Sequence, residues 1–329
     1  MEAQTHPRTW KILLAFAVIY FVWGSTFLAI RVGVREVPPF LLAGMRFVAA
    51  GAILYFWMRA KGSPAPSARQ WGGASFLAIL IFVLDYGLLF WAEKRVPSGI
   101  AAVMMATIPA FMALAEIVFL RTQKLTLRLA FALCMGLLGV FVLAGKAARL
   151  GQAPVDATGA VALLVAAISW SIAASLSRKM PLPESKAMSS GVQMLAGGVL
   201  LTLTSVALGE FRGFDVQVVS AKAWLALAYL IVAGSIMGFT AYVWLIHHES
   251  PTKVGTYAYV NPVVAVLVGY FFGGEAISPR TIAGALLVLL SVIVITTTAS
   301  KKSLHAASDK PKADAVCEIP SGVESQTGT

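Results

Sequence analysis

Charge is scarce in this sequence. Asp, Glu, Lys and Arg make up 12% of its 329 residues, about half the share of a soluble domain. Cysteine is scarcer: there are two, Cys134 in an apolar run and Cys317 in a polar tail, so no disulfide framework holds the fold. Histidine occurs four times and never in the middle of an apolar run, so a serine intramembrane protease lacks its base. No HExxH is present, which excludes the common zinc metalloprotease arrangement. Asp85 is the only aspartate well inside an apolar run, whereas an aspartyl protease needs two sharing a proton. No phosphate-binding loop and no soluble domain are visible, so a nucleotide-driven pump is excluded. No filter motif or charged pore stripe argues for a channel. Neither an enzyme nor a cofactor is expected.

What is present is apolar residue in long continuous runs: 58% of the chain, with a mean hydropathy of +0.80. A β-barrel would alternate over ten-residue segments instead. Ten runs are each near the ~20 residues that a bilayer requires: 11–31, 39–59, 71–91, 97–120, 125–145, 157–177, 187–208, 222–246, 252–273 and 278–299. Breakers stand at the joins, among them Pro38-Pro39, Pro97, Pro154, Pro251 and Ser278-Pro279. The first run follows Arg8 and Lys11 as a signal peptide would, but it is too long for one and is read as a retained helix. The expected fold is therefore an all-α polytopic membrane protein.

The chain carries a net charge of +11. Its basic residues are scattered at the ends of the runs, where they meet headgroups, so nucleic-acid binding is not the reading. With the N-terminus inside, sixteen basic residues lie on the inner side and nine on the outer, which favours cytoplasmic termini. Residues 1–10 form a cytoplasmic N-terminus. Residues 300–329 are polar and without periodicity, and read as a disordered cytoplasmic tail.

The chain repeats itself. Trp23 with Arg31 eight residues on matches Trp170 with Arg178; Pro97 and Pro109 match Pro251 and Pro262; Gln123–Thr126 matches Glu275–Ser278. Five spans per half is an odd number, so the second half, 157–299, is inverted relative to the first, 11–145. Paired proline-broken spans in inverted halves point to a transporter with a midplane site. Pro262 is expected to break span nine about halfway across the bilayer, and Pro109 to break span four at a matching depth; both are candidate kinks and gates.

The stretches WGSTFLAIRVGVREVPPFLLAGMRFVAAG (23–51), VPSGIAAVMMATIPAF (96–111) and YAYVNPVVAVLVGYFFGGEAIS (257–278) resemble the EamA family of the drug/metabolite transporter superfamily. The resemblance covers about 10–300. It implies ten helices in two inverted repeats, cytoplasmic termini in a bacterial inner membrane, a central cavity, and export of small metabolites, amino acids or drugs. This sequence departs from the pattern where the second half has Gly273-Gly274-Glu275 but the first has Arg121-Thr122-Gln123.

Ionisable groups inside a span cost about 2.5–3.5 kcal/mol on the insertion scale, so each needs an account. Arg46 and Asp85 lie at similar depths and are expected to pair across spans two and three. The alternatives for Arg46 are holding a substrate carboxylate, or snorkelling to the interface. Glu116 has no basic neighbour one turn away and shares with Asp85 the candidacy for carrying a coupled proton; its alternative is reaching water near Arg121. Trp23, Tyr86, Trp170, Tyr242, Tyr257 and Tyr259 offer apolar faces with polar edges and are the candidate cavity wall, with Arg46 and Asn261. Asn261 alternatively satisfies backbone freed by Pro262. His247, His248 and Glu249 are adjacent and point apart on a helix, so a metal site is not expected. Gly234/Gly238 and Gly269/Gly273 permit close helix approach. The expected partners are the bilayer, a small-molecule substrate and protons, with the chain a monomer or homodimer.

Overall fold

The computed structural model describes residues 9–118, 126–144, 156–177, 179–248, 254 and 257–308. Among these the fold is helical, without strands. The helices are α1 (Thr9–Gly33), α2 (Pro39–Ala60) and α3 (Ala68–Glu93); α4, in two pieces, Ser98–Met105 and Ile108–Val118; α5 (Leu127–Ala144); α6 (Ala157–Ser177) and α7 (Lys186–Ala207); α8, built from Ala221–Tyr229, Leu230–Met237 and Gly238–His248; α9 (Tyr257–Gly273); and α10 (Pro279–Ser308). Six of them, α1–α3 and α6–α8, are long and apolar enough to cross a membrane, and α4, α5, α9 and α10 contribute shorter apolar stretches.

The packing is unchanged when the two halves are exchanged. α2 packs on α7, α5 on α10, and α4 on α9. α1 packs on α8 and α9, and α6 packs on α3 and α4 in return. The α2–α7 crossing is close because glycines meet backbone there. A Cβ on Gly51 would sit 2.4 Å from the Leu195 nitrogen, and one on Gly198 would sit 2.3 Å from the Val48 nitrogen. Without a hydrophobic drive between helices in lipid, such close approach is what holds them together. Large apolar side chains on the rim, such as Phe56, Phe131, Phe141 and Phe272, remain exposed, as surfaces facing acyl chains must.

Helix starts at one end of the bundle are capped by carboxylates from other elements. Glu210 accepts from the Phe40 and Leu41 amides at the start of α2 (3.4 and 3.0 Å). Glu36 accepts from the Ser220 amide and hydroxyl ahead of α8 (2.6 and 2.7 Å). Glu275 accepts from the Ser98 amide and hydroxyl (both 2.8 Å) and the Gly99 amide (3.1 Å) at the start of α4. Free amides and the helix dipole favour an anion at each place. We call this the Glu275 end. At the opposite end Ser67 and Ser185 cap α3 and α7 locally.

The helices depart from α geometry in places the prolines only partly foretell. α4 breaks at Ala106-Thr107, and Pro109 sits in the first turn of the piece that follows. The break expected at Pro262 is not seen: α9 is a single helix from Tyr257 to Gly273 with the proline inside it. The larger irregularities are π segments, Val18–Val22 in α1, Ile79–Gly87 in α3 and Leu230–Met237 in α8. Those in α3 and α8 occupy equivalent places in the two halves. A π turn leaves backbone carbonyls unpaired and is common at functional sites.

Candidate functional site: a central cavity shared by both halves

A cavity of about 430 Å³ lies where the irregular segments meet. Trp23, Arg46, Asp85, Tyr86, Pro109, Trp170, Tyr242, Tyr257, Asn261 and Pro262 all line it. Tyr259 and Glu116 lie on α9 and α4, but their side chains are outside the described residues, as are Arg178 and Glu249.

Two aromatic groups wall the cavity, and they too exchange with the halves. On one side Trp23 of α1 is edge-on to Tyr257 (5.2 Å between centroids) and tilted against Tyr242 of α8 (5.4 Å). On the other, Trp170 of α6 is edge-on to Tyr86 of α3 (6.2 Å), which packs in turn on Phe47 (4.7 Å) and Phe82 (5.9 Å). Edge-to-face contacts fix ring orientation as well as burying area. The Trp23 indole is further fixed by donating to the Gly234 carbonyl at 3.0 Å.

The glycines at 234 and 238 make room for side chains more than for helix backbones. A Cβ at Gly238 would lie 2.3 Å from Trp23 Nε1; one at Gly234 would lie 2.8 Å from Thr26 Cγ2 and 3.3 Å from Arg46 Nη2. Asn261, oriented by its hydrogen-bonding surroundings, donates to the carbonyls of Ile19, Tyr20 and Tyr257 at 3.2–3.3 Å. It thus bonds two carbonyls of the π segment of α1 and one in its own helix, where the sequence pointed to the backbone freed by Pro262.

The expected Arg46–Asp85 pair is absent: no ion pair or hydrogen bond joins them. Arg46 Nε instead donates to Ser235 Oγ across the cavity on α8, at 3.0 Å. Its guanidinium lies over Phe47 (4.7 Å), Tyr86 (5.4 Å) and Phe90 (5.9 Å), a setting in which ring quadrupoles attract the cation. The aromatic wedge between α2 and α3 and the π segment holding Asp85 turn the two side chains apart. Arg46 Nη1 and Asp85 Oδ1 are both buried with no hydrogen-bond partner in the protein. The cavity therefore presents an unused guanidinium donor and an unused carboxyl oxygen.

Polar groups not singled out from the sequence also line it: Ser190 and Gln193 on α7, and Ser235 on α8. A carboxamide in the middle of an apolar run is a signal that would have found Gln193. Away from the cavity, His248 is exposed, stacked on Trp244 and bonded to its carbonyl at 2.8 Å.

Comparison with known proteins places this architecture. A model of the EamA-like transporter family matches residues 9–145 and again 157–297. The chain belongs to the EamA-like transporter family. The inner membrane transporter YedA of Escherichia coli K12 is 34% identical over 284 residues, covering 86% of this EamA-like chain and 89% of YedA. YoaV, a transporter of Bacillus subtilis, is 25% identical and covers 89% and 99%. Protein PagO of Salmonella typhimurium is 25% identical over 92% and 97%. A solved protein crystal structure aligns with a TM-score of 0.58 at 23% identity, covering 88% of this chain and 98% of that one, a likeness of fold. The two family matches coincide with the halves whose packing exchanges, and they support a membrane transporter built from two repeats.

Proposed function

We propose that this chain is a secondary active transporter of the bacterial inner membrane that exports small metabolites, amino acids or amphipathic drug-like compounds, coupled to protons. Both termini are cytoplasmic, and the Glu275 end faces outward. The two halves rock about the α2–α7 crossing, so that the cavity opens to one side and then the other. The observation carrying this reading is the cavity itself. Both halves build it, and its buried Arg46 and Asp85 have polar atoms unused by the protein. Such atoms are costly unless something binds them. A ligand with a carboxylate finds Arg46 and Ser235; an ammonium finds Asp85; an apolar body finds the two aromatic walls. Export, the substrate class and the inner-membrane placement draw on the family resemblance and on relatives named inner membrane transporters.

Counterflow in proteoliposomes with a panel of labelled amino acids tests this, with and without an imposed proton gradient. The expected result is exchange of one class, lost in Trp23→Ala and Arg46→Gln. Exchange of a class unaffected by either variant would place the substrate elsewhere.

A further inference from the structure

Away from the cavity, the Glu275 end holds a second group of charges. Arg31 Nε of α1 pairs with Glu275 Oε1 at 3.2 Å, both side chains being largely buried. The Arg31 guanidinium also donates to the backbone carbonyls of Glu93 (3.1 Å) and Val96. Glu275 in turn holds the start of α4 through Ser98 and Gly99. One arginine and one glutamate therefore tie together the ends of α1, α3, α4 and α9. Gly269 leaves the room: a Cβ there would stand 2.6 Å from Glu275 Oε2 and 3.2 Å from Ser98 Oγ.

Glu93 lies under this latch. It is wholly buried, at 0% exposure, and neither carboxyl oxygen has a hydrogen-bond partner. Arg31 Nη1 donates to the Glu93 and Val96 carbonyls, Nε faces Glu275 Oε1 without a hydrogen bond, and no Arg31 N–H reaches the Glu93 carboxyl. The charged groups acting on that carboxyl are Arg31 from α1, Glu275 from the α9–α10 connection, and Arg46 from α2. α6 also packs on this part of α3, and the charge at its start, Asp156, faces Arg95. The piece of α4 packed there is uncharged.

We propose that Glu93 is a proton-binding site that controls this latch: protonated, it is accommodated with the latch shut; deprotonated, it takes Arg31 from Glu275 and frees the outer ends of α1 and α9. A buried carboxylate without a donor is strongly disfavoured, whereas a carboxylic acid has one proton to place and no net charge. The cation acting most on that carboxyl is Arg31, and turning it to Glu93 draws it from Glu275, where its Nε contact has no hydrogen bond to hold it. Outer opening and protonation of Glu93 thus exclude one another, with the proton released to water as the latch opens. The outward placement of this end rests on the reading above; the competition between Glu93 and Glu275 for Arg31 does not.

The test needs no substrate, so failure of the transport reading leaves it intact. Spin labels are placed on the exposed positions Arg35 and Ala276, each changed to Cys in a Cys134→Ser, Cys317→Ser background. Their separation in nanodiscs is measured from about pH 5 to pH 9, the range that brackets carboxyl and imidazole titration. The expected result is a short distance at low pH that gives way to a longer one, the ratio changing by up to about tenfold per pH unit for a single proton. Glu93→Gln holds the short distance throughout; Glu275→Gln shows the long one throughout. A pH response retained in Glu93→Gln, or no response in the parent protein, overturns the proposal. As a second readout, infrared titration shows a protonated carboxyl band lost in Glu93→Gln and kept in Asp85→Asn. A band that survives Glu93→Gln unchanged also overturns it.

Discussion

Replacing Gly238 by alanine should damage the cavity by displacing Trp23, although Gly238 itself is not among the lining residues. The added methyl would lie 2.3 Å from Trp23 Nε1 and 2.8 Å from its Cδ1, where carbon contacts settle near about 3.5–4.0 Å. The indole must retreat by roughly 1 Å or more. It has little space, since Tyr257 and Tyr242 stand against it with centroids at 5.2 and 5.4 Å. Such a shift also carries Nε1 away from the Gly234 carbonyl, now at 3.0 Å. Loss of that bond costs about 0.5–1.5 kcal/mol net. Overpacking adds about 1–3 kcal/mol. Together these predict about 1.5–4.5 kcal/mol, measured as the shift in equilibrium unfolding in mixed micelles, with a matching loss of counterflow. Trp23→Phe removes the clashing nitrogen, so the double variant should be more stable than the two single losses sum to, a coupling of about 1 kcal/mol or more. A Gly238→Ala protein of parental stability and activity, or strict additivity with Trp23→Phe, would refute the packing described.

Three further outcomes are expected. Arg46→Gln and Asp85→Asn should be additive in stability to within about 0.5 kcal/mol, because the two side chains do not meet; coupling well above that in a double-mutant cycle would restore the pair. Glu36 is held below the ordinary carboxylate range by the Ser220 amide first and the Ser220 hydroxyl second. Its folded pKa lies below the unfolded one, so the cap is fully present above the unfolded value and is lost as pH falls through the folded one. Glu36→Gln should therefore flatten the acid limb of the melting curve, and an unchanged limb would show that the cap contributes nothing. Gly198→Leu should abolish folded protein, scored by monodisperse elution in detergent, because its Cβ would stand 2.3 Å from backbone of α2; normal elution would mean that α2 and α7 can separate at little cost.

The spans were legible because bilayer thickness demands apolar runs longer than those of signal peptides or buried core helices. The two-repeat arrangement was legible from Trp23 and Trp170, which stand on opposite walls of one cavity. The irregular segments were less so. Proline marks a missing donor, and Pro109 lies just after a real break, but π segments have no residue signature, and those in α3 and α8 are where the backbone deviates most. The Arg46–Asp85 expectation failed for a related reason. Depth along two helices can be counted, whereas rotation about their axes depends on the π turn and on Phe47, Phe82 and Tyr86 between them. The latch was hidden because its members are far apart in the chain. Arg31, Glu93 and Glu275 stand at the ends of three different apolar runs, and only packing brings one arginine to act on both carboxyls.

Alternating access through a cavity shared by both halves is tested most directly at Thr26, a buried cavity-lining residue. Thr26→Cys in the background without Cys134 and Cys317 is exposed to a membrane-impermeant thiol reagent from one side of sealed vesicles and then, in inverted vesicles, from the other. Slow labelling from both sides is predicted, with transported substrate protecting it. Labelling from one side only, indifferent to substrate, would contradict it.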